Sequence, residues 1–374
     1  MTSFKAGLED IVALRSEICF IDGQRRRLVY RGYDIGEFIG KATFEEVVYL
    51  LWHGELPTQA QLSVLREQIA AAQDLPKELI DLIRTFPRDA EPMAVLRTAV
   101  SALGVVDPDA NNNDREANLR KSVRLLARLP MIIAYHARLR EGQEPVAPRS
   151  DLGLAANFLL MLRGNEPDQL ETDIFDACLI LHADHELNAS TFTARTVAST
   201  LSDIYSAVTA AIGALKGPLH GGANEQVMRT LLEIGDPERV VEWLDQALEN
   251  KQRIMGFGHR VYKTGDPRAD FLRQFSQQLG EKRGDTRWYQ MSRRLEELMF
   301  EKKGLYPNVD FYSASTYYML GIPIDLYTPI FAFSRVSGWT AHVLEQYADN
   351  RLIRPRAEYA GPMDLQFRPL AERG

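Results

Sequence analysis

The stretch Gly256-Phe257-Gly258-His259-Arg260-Val261-Tyr262-Lys263-Thr264-Gly265-Asp266-Pro267-Arg268 holds the densest set of reactive side chains in the sequence. A histidine lies between glycines, and the cations Arg260, Lys263 and Arg268 follow it. Asp266-Pro267 reads as an N-cap followed by a proline at the first helical position. A flexible, cationic loop at a helix entrance suits binding a small anion and moving a proton.

Other candidates lie far from this loop in sequence. His182 and His185 fall in Leu-His-Ala-Asp-His-Glu-Leu-Asn-Ala-Ser. His185 extends the stripe Ile174, Cys178, Leu181 by one turn and so points inward, whereas His182 reads as a satisfied core histidine. His220 lies in Lys216-Gly-Pro-Leu-His-Gly-Gly-Ala-Asn-Glu, a corner between two helices. The positive end of a helix dipole there favours the neutral imidazole, which can donate a hydrogen bond to an oxygen turning into an enolate. A proline-glycine corner also carries histidines that do nothing, and both readings stand at this point. Asp310, among Val309, Phe311 and Tyr312, is either a base with a raised pKa or the N-cap of the helix that follows. Arg268 occupies the first turn of a helix, which is unfavourable for a cation unless an anion is near. Arg335 interrupts the apolar helix carrying Ile330, Phe331, Phe333, Val336 and Trp339, where an unpaired charge is expensive. With Arg354 they form a set of forks suited to a di- or tricarboxylate.

The elements that must position these groups are mostly helical. Thr43 with Glu46 and Thr58 with Gln61 are capping boxes, the first helix stopping at Gly54 and the second before Pro76. Further helices are predicted near 91–104, 115–139, 152–163, 173–185, 190–215, 222–234, 237–250, 267–280 and 286–302. One more starts at Pro329, capped by Thr328, and runs to about Asp349. Asp22-Gly23 between two short apolar runs reads as a single hairpin. No alternating strand–helix pattern or dinucleotide fingerprint is present, so the expected class is all-α. The Ser-, Ala- and Gly-rich segment 202–216 reads as either a central core helix or a subunit interface. Asp107 to Asp114 reads as an exposed polar loop.

Composition narrows the function. The 374 residues carry 44 Lys+Arg against 51 Asp+Glu, a net charge of -7, which argues against nucleic acid as the main partner. Cys19 and Cys178 sit in apolar surroundings and read as small core residues. The N-terminus Met1 to Gly7 has neither an apolar core nor an Arg/Ser-rich leader, and no apolar run reaches the roughly 20 residues that span a bilayer. A cytoplasmic protein, not a membrane one, is expected.

Taken together, Gly256–Arg268, Gly217–Glu225, His185-Glu-Leu-Asn-Ala-Ser and Pro307–Ser313 resemble the citrate synthase family, and the resemblance runs from Gly7-Leu8-Glu9 to Pro362. It implies an all-α, two-domain fold: a large domain of residues 1–221 and 322–374, and a small mobile domain of residues 222–321 on the coenzyme A side. It also implies a homodimer with shared active sites. His220, His259 and Asp310 match the family's catalytic trio. His185, Arg268 and Arg335 match its oxaloacetate ligands, and Arg354 the arginine reaching in from the other subunit. Lys263, and Lys302 or Lys303, fall where cations near coenzyme A phosphates are expected. The implied reaction joins acetyl-CoA to oxaloacetate, with no metal and no redox cofactor. Ala314 departs from the glycine common in relatives, a small change expected to be tolerated. The absence of an N-terminal extension implies a dimer without NADH control. Two rivals remain. One is 2-methylcitrate synthase, whose substrate propionyl-CoA differs by one methylene, worth about 1–3 kcal/mol of discrimination. The other is a metal hydrolase on His182, His185, His220 and His259, whose His-x-x-His spacing is weak.

Overall fold

The computed structural model describes residues 5–9 and 11–373. The leader reading rests in part on residues 1–4, which lie outside that range. Among the described residues there are fifteen α-helices and one small antiparallel sheet, so the all-α class holds. Strand β1 (Cys19–Asp22) pairs with β2 (Arg27–Tyr30) as the Asp22-Gly23 hairpin. A third strand, β3 (Tyr33–Asp34), extends the expected hairpin into a sheet, because Arg31 and Gly32 both take positive φ and fold the chain straight back.

Local signals set the helix starts. In α1 (Phe44–His53) the Glu46 carboxylate accepts the Thr43 N–H at 2.7 Å, and in α2 (Gln59–Ala72) Gln61 accepts the Thr58 N–H at 2.8 Å. Gly54 ends α1 at φ 88°. Helix α3 (Lys77–Thr85), unassigned in the sequence, buries only Leu79 and Ile83 and so offers too short a stripe to read. Then follow α4 (Pro92–Val106), α5 (Arg115–Arg140), α6 (Leu154–Arg163) and α7 (Gln169–His182). The single helix expected over 190–215 is two, α8 (Ala189–Ala198) and α9 (Ile204–Leu215). Leu201 takes φ 64°, and the Asp203 side chain accepts the Ser206 N–H at 2.9 Å, capping a fresh start. The remainder are α10 (Ala223–Ile234), α11 (Val240–Glu249), α12 (Pro267–Arg283), α13 (Arg287–Lys303), α14 (Val309–Met319) and α15 (Tyr327–Ala348). Helix α15 begins two residues before Pro329, and no Thr328 side-chain cap forms.

Helix α15 is the spine. It is buried along most of its length and packs against α1, α4, α5, α7, α8, α9 and α10. Helix α9 wedges between α4, α8 and α15, burying Tyr205, Val208, Ala211 and Ile212, while Ser206 stays exposed and Thr209, Ala210, Gly213 and Ala214 half-buried on its other face. The approach to α4 is close: a Cβ on Gly104 would lie 2.9 Å from Tyr205 Cβ. Helices α10 to α14 pack mainly on one another, with α10 touching α15 and α12 touching α7. Both cysteines are buried and free. No described helix is long and apolar enough to cross a membrane.

The Asp107 loop is more than exposed polar chain. Asp107 is buried, accepts Arg124 Nε at 2.7 Å and Nη2 at 3.1 Å, and takes the Tyr205 hydroxyl hydrogen bond. Buried Lys121 donates to the carbonyls of Ala110 and Asn112, the second at 2.6 Å, which fixes the loop's backbone. Removing Asp107 strands a largely buried guanidinium and a buried phenol. We expect Asp107→Ala to lose about 2–4 kcal/mol in denaturant unfolding, and Asp107→Asn, which keeps the acceptor, to lose clearly less.

Candidate active site

One cavity of about 1100 Å³ gathers His185, His220, His259, Arg268, Asp310 and Arg335 in its walls. Helices that are far apart in sequence deliver them: the turn after α7, the α9–α10 corner, the loop before α12, the first turns of α12 and α14, and the middle of α15. A separate cavity of about 570 Å³ between α1, α2, α6 and α7 holds none of these groups.

The reactive loop is stitched to α14. Asn308 N–H donates to Gly256 O (2.9 Å), Gly258 N–H donates to Tyr306 O (2.9 Å), and Asn308 Nδ2 donates to Gly258 O (3.0 Å). Gly256 sits at φ 84°, and a Cβ there would come 2.7 Å from Val227 and 2.9 Å from Phe311. Only glycine lets the loop lie that close to α10 and α14. His259 and Asp310 are therefore carried on segments hydrogen-bonded to each other.

The histidines have defined tautomers, because backbone amides can only donate. His259 Nδ1 accepts from the N–H groups of Val261 (3.0 Å) and Tyr262 (3.2 Å), leaving the proton on Nε2. Burial and the Arg268 charge lower its pKa to about 4. His220 Nε2 accepts the Ser190 N–H at 3.2 Å, with Ser190 Oγ 2.8 Å away, so Nδ1 carries the proton. Trp339 Nε1 in turn donates to Ser190 Oγ at 3.1 Å. Burial first and Arg335 second bring His220 to about 4. The helix dipole invoked from the sequence is not the leading cause of its neutrality.

His185 lies three residues beyond the end of α7, not on an extra turn of it. It reaches the cavity through a turn in which Glu186 takes φ 52°. Burial, Arg268 and His259 push its pKa well down. Its Nε2 has no hydrogen-bond partner among the described residues. His182 is the core histidine expected, fully buried with Nδ1 2.7 Å from Cys178 O and a pKa pushed down to about 3 by that burial.

Two guanidinium groups, each no more than 2% exposed, supply the positive charge. Arg268 is paired in bidentate fashion with Asp266, at 2.9 and 2.7 Å, which answers the question of a cation in the first helical turn. Arg335 Nε donates to His182 O at 2.7 Å, and its Cζ stands 4.6 Å over the Phe331 ring. Asp310 is not the N-cap of α14; Asn308 is, accepting the Asp310 N–H at 3.0 Å. Burial raises the Asp310 pKa to about 6, against the lowering pull of Arg268.

Three sequence candidates stay outside the cavity wall. Lys263 is exposed and donates to Arg260 O, and Lys302 pairs with Asp245 at 2.5 Å. Arg354 is exposed in the extended chain after α15, away from this chain's own cavity. Sequence reading missed Ser190, the partner of His220, and saw Asp266 only as a cap. The Asn-Ala-Ser that follows His185 was the available signal for Ser190. Among the described residues no three His, Cys, Asp or Glu side chains converge as metal ligands, so the four-histidine metal reading has no geometry behind it.

Comparison with known proteins identifies the family. A family model described as citrate synthase, C-terminal domain, matches residues 7–356. The chain is 54% identical to citrate synthase 2 of Bacillus subtilis (strain 168) and 45% identical to 2-methylcitrate synthase 1 of Corynebacterium glutamicum, with at least 98% of each chain covered. It superimposes with a TM-score of 0.92, at 36% identity and 99% coverage of this chain and 100% of the other, on citrate synthase from Thermoplasma acidophilum, solved as a ternary complex with carboxymethyl coenzyme A and oxaloacetate. The chain belongs to the citrate synthase family and is a transferase of that type.

Asp310 gives this site a pH signature. Its pKa of about 6 in the fold lies above the ordinary 3.8, so the folded protein holds this proton more tightly than the unfolded chain. That contribution to stability is complete below pH 3.8 and is lost as pH rises through 6. Asp310→Asn should therefore stabilise the ligand-free protein against unfolding at pH 8, by an amount on the order of 1–3 kcal/mol, and leave its stability almost unchanged at pH 4. Calorimetry at the two pH values checks this; a gain of equal size at both would contradict the assignment.

Proposed function

We propose that this member of the citrate synthase family condenses acetyl-CoA with oxaloacetate to give citrate and coenzyme A. The observation that carries the reading is the convergence, in one cavity, of a carboxylate with a raised pKa, two neutral imidazoles with opposite tautomers, and two buried guanidinium groups.

Each group has work suited to its state. The Asp310 carboxylate takes a proton from the methyl of the thioester while His220 Nδ1–H donates to the thioester oxygen, giving an enol. The enol carbon forms the new bond to the ketone carbon of oxaloacetate, and His259 Nε2–H protonates the alkoxide that results. Water then hydrolyses the citryl thioester, and sulfur leaves as the coenzyme A thiol. Arg268, Arg335 and His185 hold the carboxylates and carbonyl of oxaloacetate. The steps call on no metal or redox cofactor. Enolisation of a thioester needs water kept out, which we assign to closure of a mobile small domain, residues 222–321, over residues 1–221 and 322–374. The packing of α10 to α14 mainly on one another supports that division.

We further assign a homodimer with shared sites. After α15 the chain runs extended and leaves Leu352, Tyr359, Leu365, Phe367 and Leu370 exposed, apolar surface that a second copy would cover. Arg354 in this segment would complete the partner's oxaloacetate site. Lys263 and Lys302 would turn to coenzyme A phosphates. The second reading, 2-methylcitrate synthesis from propionyl-CoA, is favoured by the 45% identity to a 2-methylcitrate synthase.

Thiol release with oxaloacetate and either acetyl-CoA or propionyl-CoA tests the reaction. We expect release with acetyl-CoA, a larger kcat/KM for it than for propionyl-CoA, and a fall of at least about 100-fold in Asp310→Asn. No release from either donor would sink the reading. Subunit sharing has its own test. Asp310→Asn and Arg354→Ala subunits, each poorly active alone, are dissociated and reassociated in equal amounts. Half of the dimers are then mixed, and one site in each mixed dimer is intact, so roughly a quarter of wild-type activity should return. If every site is built from one chain, nothing returns.

A further inference from the structure

We propose that Asp184 is a positioning residue for oxaloacetate binding: it holds the strained turn that presents His185 and compensates Arg335 from behind the cavity. The inference deepens the reading above and rests on it.

Asp184 is completely buried, one residue before His185, and does not line the cavity. Its Oδ2 accepts the Glu186 N–H at 3.1 Å, closing an Asx turn around His185. Glu186 takes φ 52°, a left-handed conformation costly for a residue with a Cβ. The turn has no other side-chain hydrogen bond to that amide, so the carboxylate holds the strain in place. The backbone on either side is clamped as well. Tyr30 Oη donates to Asp184 O at 2.9 Å, Ser337 Oγ donates to Ala183 O at 3.4 Å, and Arg335 Nε donates to His182 O.

The carboxylate is itself held from the far side. Arg195 Nη1 lies 3.2 Å from His342 Nδ1 and can only donate, so His342 carries its proton on Nε2, which lies 3.3 Å from the Asp184 carboxylate. Arg195 is anchored by Glu345 and by Gln346 Oε1, at 3.0 Å for the latter. The Cys19 thiol also lies against Asp184. Helix α15 approaches so closely here that a Cβ on Gly338 would lie 2.4 Å from both Ala183 O and Asp184 Oδ1. This contact brings the Asp184 charge near Arg335, the one substrate-facing guanidinium with no carboxylate hydrogen-bonded to it. The negative charge on that side offsets part of the cost of burying the Arg335 guanidinium, which hydrogen-bonds through Nε to His182 O. Two of the three groups assigned to oxaloacetate, His185 and Arg335, are thus referred to one carboxylate that does not line the cavity.

The experiment perturbs the turn from both of its ends, in the full-length enzyme, with oxaloacetate as the probe. Asp184→Ala should raise KM for oxaloacetate, and its Kd measured by calorimetry without any thioester, by about tenfold or more, while kcat falls no more than about threefold. Glu186 lines the cavity; Glu186→Val opposes the left-handed turn with a β-branched residue and should move KM the same way, whereas Glu186→Gln, which removes the same carboxylate without that strain, should not. Adding Glu186→Gly to Asp184→Ala should recover much of the loss, because glycine takes φ 52° without strain. A wild-type KM in Asp184→Ala, or a loss confined to kcat, overturns the proposal. If Asp184→Ala does not fold, Glu186→Val decides, and an unchanged KM in it overturns the proposal. A wild-type enzyme that binds no oxaloacetate instead removes the functional reading itself.

Discussion

Two guanidinium groups buried in the wall of a polar cavity are the constraint around which the rest of this fold is arranged. An uncompensated buried cation costs several kcal/mol, so neither Arg268 nor Arg335 could sit where it does without an anion in reach. Asp266 answers for Arg268 directly, in a bidentate pair, and also accepts the Val309 N–H at 3.2 Å. That second bond ties the start of α12 to the start of α14, placing Arg268 and Asp310 on one rigid support. Arg335 has no such pair. It spends one donor on His182 O and leans on the more distant Asp184.

Burial first, and these two charges second, shift the protonation equilibria of the groups around them. His185, His220 and His259 are all pushed below the ordinary imidazole value, each with burial as the first cause and an arginine as the second. A cationic imidazole would add further positive charge beside Arg268 and Arg335, which disfavours it. Asp310 meets the opposite pressure. Its position in the first turn of α14 and the nearby Arg268 favour the ionised form, yet burial still wins and leaves the carboxyl near 6. A weak base near neutrality, beside hydrogen-bond donors that do not titrate, can take a proton from carbon at physiological pH without being permanently protonated.

How far this was legible in the sequence depends on the range of each interaction. Capping boxes at Thr43 and Thr58 span three residues and were readable outright. A cation in an apolar helix (Arg335) and a carboxylate among aromatics (Asp310) announced themselves through their neighbours, since burial of charge requires a reason. The family resemblance then joined the separated motifs. Long-range pairs left no such trace: Ser190 with His220 across 30 residues, Asp107 with Tyr205 across 98, Tyr30 with Asp184 across 154. The helix over 190–215 misled because Ser199 to Asp203 has no proline or glycine to mark the break. His185 was expected on a helical stripe for the related reason that nothing in Ala183-Asp184 signals a helix end; the stop is imposed by α15 and β2 pressing on those carbonyls.

Glycine does at this site what a ligand-binding side chain cannot. Gly338 lets α15 touch the Ala183 carbonyl, and Gly256 lets the His259 loop lie against Phe311 and Val227. Gly221 belongs with them, since a Cβ there would lie 2.1 Å from Leu215 O at the corner that carries His220. Each of these glycines sits at a contact, beside a residue that faces the cavity. At Gly221 and Gly338 the spacing is set by the approach of backbone to a backbone carbonyl, and at Gly256 by backbone against the Val227 and Phe311 side chains. Backbone-to-backbone contacts are stiff, because a rotamer change cannot absorb a displacement. A cavity whose chemistry depends on two imidazole tautomers and on two buried guanidinium groups needs that stiffness within each segment.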